Sequence, residues 1–301
     1  MFLVLFEYLS AVIAKTIFFM TRRINCFIPY QDKVQVAETV KGLQEAGLVN
    51  KIYLLTTESE SEVLEGCELL RVDSLKCTPA IKKIAERSDA DFSLIYTKES
   101  TLVLGMFALE RMVKLAEDTN AAMLYADHYQ IIDGVKKASP VITYQFGSLR
   151  DDFNFGSVLL YKASVVKEAA AKMSVDYKFA ALYDLRLKAS QLGDLVHINE
   201  YLYTEVEQDT RKSGEKIFDY VDPKNRGVQI EMEAACTEHL KAIGGYLEPK
   251  FKHIEFSEGN FEFEASVIIH VFNRIKTIED AIKSVLMQKT NFKFNLIIID
   301  N

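Results

Sequence analysis

Between residues 24 and 203 short apolar, β-rich runs alternate with stretches of helical period. The first run, residues 24–30, is ended by Pro29. After it, Val34, Val36, Ala37, Val40, Leu43 and Ala46 fall on one helical stripe, with Gly47 where a C-terminal cap is expected. Further strands are predicted at 51–56, 69–72, 92–96, 121–125 and 156–161, with an extended stretch over 195–203. Helices are predicted at 79–87, where Pro79 sits in the first turn, and at 104–117, 163–173 and 183–192; Asp133-Gly134 marks a turn. This alternation predicts an α/β fold, a mainly parallel sheet with flanking helices.

Beyond residue 204 the pattern changes twice. Residues 205–263 are charged and helical, most clearly over 229–243, and suit a helical connector. From Glu264 a buried-strand run (265–273), a helix (277–288) and a strand (294–299) ending in Asp300-Asn301 form a partial second β-α-β unit, which the chain leaves in mid-pattern. Laid over residues 24–57, this unit matches strand on strand and helix on helix at an offset of about 243 residues. The expected organisation is an apolar segment at 1–21, a domain at 22–204, the connector at 205–263, and the truncated start of a second domain at 264–301.

Composition narrows the function. With 36 basic and 43 acidic residues in 301, a net charge of −7 and no long cationic block, non-specific binding to nucleic acid is excluded as the main activity. Cys26, Cys67, Cys77 and Cys236 stand far apart in no metal-binding spacing, which points to reduced thiols and a cytoplasmic protein. Residues 2–20 are apolar except for Glu7 and Lys15 and precede Arg22-Arg23. Three readings stand for that segment: a stretch upstream of the true start or a loose helix, a membrane anchor, and a signal peptide. The second implies peripheral association with the cytoplasmic face of a membrane.

Three linked motifs carry a family resemblance: Ser266-Val267-Ile268-Ile269-His270-Val271-Phe272-Asn273, then a helix ending Ser284-Val285-Leu286-Met287-Gln288, then Leu296-Ile297-Ile298-Ile299-Asp300. Over about 37 residues they resemble the opening of family 2 glycosyltransferases of the GT-A fold. His270 and Phe272 depart from the usual Pro and Tyr. The resemblance implies that Asp300 holds the nucleotide, and that residues 22–204 form a divergent GT-A-like domain in a tandem-domain protein. It implies an inverting transferase moving a sugar from a nucleotide-sugar donor to a glycan, polysaccharide or lipid-linked acceptor, with Mg²⁺ or Mn²⁺ held by an Asp-X-Asp after the fourth strand. That position here carries Thr97-Lys98-Glu99, in which Glu99 alone is a carboxylate, and Thr57 stands where the repeat has Asp300.

Other residues supply candidate chemistry. Asp127, beside His128 after the fifth strand, could bind metal or donor, or cap a turn. In Arg150-Asp151-Asp152 a guanidinium could face a diphosphate and carboxylates an acceptor hydroxyl, or the loop could be a surface ion pair. The resemblance also implies a carboxylate near the start of a late helix as general base, where the usual Glu-Asp is replaced by Tyr183-Asp184, so Asp184 is the candidate, with a helix-terminus role as the alternative. A catalytically degenerate GT-A-like binding module within a larger glycosyltransferase is the competing reading.

Overall fold

The computed structural model describes residues 24–30, 33–58, 62–207, 226–253 and 261–300. The apolar segment at 1–21 lies outside the described residues, so its three readings stand as they were. Among the described residues no helix is long and apolar enough to cross a membrane.

The first unit ends near Tyr246. It opens with β1 (Ile24–Pro29), α1 (Lys33–Glu45), β2 (Val49–Thr56), β3 (Cys67–Arg71), α2 (Thr78–Glu86) and β4 (Phe92–Tyr96). These strands are parallel in the order β3-β2-β1-β4. β1 and β4 are buried along their whole length, which explains why both read as unbroken apolar runs. Gly47 takes φ +71°, the left-handed conformation that closes a helix, two residues after α1 ends.

The second half comprises β5 (Thr101–Leu104), α3 (Ala108–Thr119), β6 (Met123–Ile132), β7 (Val135–Ser139), β8 (Val158–Lys162), α4 (Ala163–Ala171), α5 (Ala181–Ala189), β9 (Leu195–Glu207) and α6 (Arg226–Ala242). Here the pairing is mixed. β8 joins β4 and β6 antiparallel to both, β9 runs parallel to β6, and β5 closes that edge antiparallel to β9. Asp133 and Gly134 both have positive φ, as a two-residue hairpin between β6 and β7 requires. Two apolar clusters, one on each face of the sheet, form the core.

Helix α6 falls in the stretch read as connector, yet it packs on the first unit. Its Ala235 and His239 are buried. Its Glu231 carboxylate accepts the N–H groups of Lys178, Phe179 and Ala180 at 3.1, 2.7 and 3.2 Å, satisfying donors just ahead of α5.

The second unit holds β10 (Ala265–Val271), α7 (Ile278–Leu286) and β11 (Phe294–Asp300). β10 and β11 pair in parallel from Ala265↔Phe294 to Val271↔Asp300, so this unit repeats the β1-α1-β2 plan. Asp300 closes β11, exposed and opposite Val271.

Candidate functional site

In an open sheet with parallel strands, ligands collect beyond the carboxyl ends of the strands. A cavity of about 490 Å³ lies there in the first unit, beside Thr97 at the end of β4. The 151–156 loop ahead of β8 forms one wall; Leu182, Tyr183 and Arg186 of α5 form another, and Val228 and Met232 of α6 contribute a third. Phe153, Phe155 and Phe179 make the lining largely aromatic, while Lys76, Asp151, Asp152, Asn154 and Arg186 add polar groups. This mixture suits a ligand with a flat or sugar-like body and a charged end.

Helix geometry decides which α5 residues face the cavity. Positions 182, 183 and 186 lie three and four apart and share a face, whereas 184 and 188 share another. Tyr183 donates its hydroxyl to the Leu149 carbonyl at 2.5 Å, and Arg186 donates to the Ser148 and Arg150 carbonyls at 3.1 and 2.8 Å. Together these bonds fix the loop that carries Asp151 and Asp152.

Gly156 permits a close approach at the base of that loop. It adopts φ +71°, and a Cβ there would collide with the Tyr203 hydroxyl. That hydroxyl accepts the Ser157 N–H at 2.8 Å, so the loop enters β8 along a path open only to glycine.

The residues singled out from sequence are not gathered in one place. Asp184, taken as the candidate base, is 1% exposed and ion-pairs with Lys188 at 2.6 Å. It does not line the cavity. Burial raises the Asp184 carboxyl above the usual carboxylate range, against the opposing pull of Lys188. Arg150 and Asp152 pair with each other in a bidentate contact of 2.9 and 2.7 Å, both largely exposed. Asp152 reaches the cavity wall; Arg150 does not.

Asp127 lies under a different surface. Asp127 and His128, successive residues of β6, point to opposite sides, and the partner strand β9 bulges opposite them. Asp127 Oδ1 accepts the Val141 N–H at 2.8 Å and lies 2.9 Å from His197 Nε2. His197 stacks on Tyr125, and its Nδ1 lies 3.0 Å from Thr143 Oγ1. This chain of contacts opens on a smaller cavity of about 320 Å³ lined by Thr143 and His197.

The residues beside β4 do not fit a divalent cation. Among the described residues no group of three or more His, Cys, Asp or Glu side chains converges. Glu99 is exposed, and Asp127 is engaged with His197 and Val141. Lys98 Nζ lies 2.6 Å from Oε2 of Glu205, which is fully buried. Gln130 donates to the same oxygen at 3.1 Å, and His128 Nε2 lies 3.3 Å from the other. At the end of β4 the Lys98 ammonium is thus paired with a buried carboxylate, while the two acid positions of an Asp-X-Asp hold Thr97 and Glu99.

His128 stacks on Tyr203 with ring centroids 5.0 Å apart, and burial lowers its pKa against the attraction of Glu205 and Asp127; Lys98 lowers it further. His239 is lowered as well, by burial first and then by Arg186 and Lys188. Both imidazoles are therefore favoured neutral in the fold. The unfolded chain takes up protons first as pH falls through about 6.5, so folding stability falls with it. The midpoint of thermal unfolding is expected to drop by a few degrees between pH 7.5 and 5.5, and a His128→Gln/His239→Gln variant to lose most of that drop.

Neither a protein-family model nor a curated protein matches the sequence. Solved structures do resemble the fold. S. aureus TarS 1–349 in complex with UDP aligns over 72% of this chain and 65% of its own, at 9% identity and a TM-score of 0.50. Mannosyl-3-phosphoglycerate synthase from Rubrobacter xylanophilus aligns over 75% and 77% of the two chains, at 12% identity and TM-score 0.46. GalNAc-T7 with UDP, GalNAc and Mn²⁺ aligns over 62% and 44%, at 12% identity and TM-score 0.44. This chain spans 60 to 65% of the length of the TarS 1–349 structures. The strand order and the likeness to TarS give the chain the GT-A glycosyltransferase fold.

Proposed function

We propose that the chain serves glycosyl transfer, with the aromatic cavity of the first unit binding a nucleotide-sugar donor. The observation that carries this reading is the position of the cavity, at the carboxyl end of β4 in a GT-A fold, between α5 and the 151–156 loop. The UDP bound to TarS supports a uridine diphosphate end on the donor. The acceptor is a glycan, polysaccharide or lipid-linked sugar, and transfer inverts the anomeric carbon. In the second unit Asp300, at the end of β11, is the nucleotide-holding carboxylate of the repeated plan.

Within the cavity the proton of the acceptor hydroxyl passes to a carboxylate. Asp151 is placed for it: it lines the cavity, and no ion pair within 4.0 Å engages it among the described residues, unlike Asp152 and Asp184. Asp151→Asn is expected to slow transfer about 10²- to 10⁴-fold while UDP binding stays within twofold. Rate and calorimetric affinity measured on one preparation check this; unchanged turnover removes Asp151 as base.

A second reading, binding without transfer, is favoured by Thr97 at the first acid position beside β4 and by the Lys98–Glu205 pair, which puts a positive charge next to it. Incubation with UDP-sugars and mixed glycan acceptors separates the two. Transferred or hydrolysed sugar supports the enzyme, and tight UDP binding with no turnover supports the module.

A further inference from the structure

Arg186 is the one residue of the cavity whose environment calls for a ligand of defined charge. Its guanidinium is 5% exposed and sits over the rings of Tyr183 and Phe155 at 4.7 and 5.4 Å. It has five N–H donors, and the two hydrogen bonds it makes go to neutral carbonyls of the 148–150 loop. Among the described residues no carboxylate stands within 4.0 Å of it. Asp151 lies near enough to favour its charge without pairing, and burial opposes that charge.

A buried cation normally has an ionic partner, because an unpaired one costs several kcal/mol. Here the side facing the cavity has none, while Lys76 and Asn154 line the same space. The planar fork of a guanidinium matches two oxygens of a phosphate. At the end of β4, where a cation-mediated grip on a diphosphate would form, the acidic residues do not converge.

We infer that Arg186 forms a subsite for a phosphate or diphosphate group that works without a divalent cation. The inference deepens the donor reading above and rests on it for the nature of the ligand, though not for the charge of its end. The phosphate belongs either to the diphosphate of the donor or to a phosphorylated acceptor. Tyr183 and Phe155 pack against the guanidinium, and the two loop carbonyls take two of its five donors, leaving the others for the ligand.

The test is calorimetry on the full chain with inorganic pyrophosphate, UDP, uridine and a hexose phosphate, in EDTA and again with Mn²⁺. Pyrophosphate and UDP are expected to bind in EDTA, with Mn²⁺ changing affinity less than threefold. Arg186→Met is expected to weaken both at least tenfold and to leave uridine unaffected. Its thermal midpoint, measured alongside, shows that the variant is folded. Arg186→Lys, which keeps the charge and loses the fork, is expected to fall between the two and guards against a methionine variant that does not fold. Phosphate binding that needs Mn²⁺, or is unchanged in a folded Arg186 variant, overturns the inference. Failure of the donor reading looks different: Arg186-dependent binding of pyrophosphate or hexose phosphate, with UDP no tighter than pyrophosphate, supports the subsite and assigns it to an acceptor.

Discussion

Asp184→Ala is expected to destabilise the first unit by about 3 kcal/mol, an effect on folding rather than on chemistry. Asp184 and Lys188 are both nearly inaccessible, and their 2.6 Å contact lies inside α5, a helix buried on almost every side. Removing the carboxylate leaves the Lys188 ammonium with Glu238 at 3.3 Å, a partner already in partial contact with solvent. A residue that served only as a base would lose turnover and keep its stability, so the urea midpoint separates the two roles. The double variant Asp184→Leu/Lys188→Leu is expected to recover most of the loss, since it removes the burial cost of both charges together. A single variant with an unchanged midpoint would contradict the structural role.

Lys98→Met should have a comparable effect, again about 3 kcal/mol. Glu205 is buried completely in β9, between β6 and β5, and Lys98 provides its one full positive charge among the described residues. Gln130 and His128 remain after the substitution, but Gln130 is neutral and burial keeps His128 largely unprotonated at neutral pH. Adding Glu205→Gln to Lys98→Met removes the stranded charge and is expected to restore at least half of the stability. Chemical denaturation of the two variants, in parallel with wild type, checks the coupling. Additive losses would mean that Lys98 and Glu205 do not act as a pair.

The order of strands and helices was legible because each apolar run carries its own period. Residues 92–96, for instance, are buried on both faces of the sheet and read as an uninterrupted run. Antiparallel pairing left no comparable local sign. β5 is missed, its last residue taken into the predicted helix at 104–117, since four residues are too few to show alternation. The break after it comes from Phe107, which adopts a left-handed φ of 55° that sequence does not announce for a phenylalanine. β6 extends seven residues past the predicted 121–125, because Asp127, His128 and Gln130 end the apolar run while the strand continues.

The site was legible in part. The strand-end position Thr97 and the 150–152 loop were marked by their place between elements, and both reach the cavity. Asp184 was chosen because it is the acid near the start of its helix, yet its neighbours two positions earlier and later are the ones that face the cavity. Arg186 escaped notice because a single arginine in a helix reads as a surface residue. The signal that could have found it is the apolar character of α5 all round, Ala181, Leu182, Tyr183, Leu185, Leu187 and Ala189, which demands that an arginine among them be buried. The smaller Asp127–His197–Thr143 chain depended on a contact between β6 and β9 that only the fold supplies.

We propose that this GT-A fold binds a nucleotide-sugar in the cavity walled by α5 and the 151–156 loop. Amide hydrogen exchange of the full chain, with and without UDP-GlcNAc in EDTA, tests it most directly. Slowed exchange is expected over residues 148–157 and 180–186, and Arg186→Met is expected to move it to at least tenfold higher ligand. Protection confined to other segments, or none at saturating ligand, would contradict it.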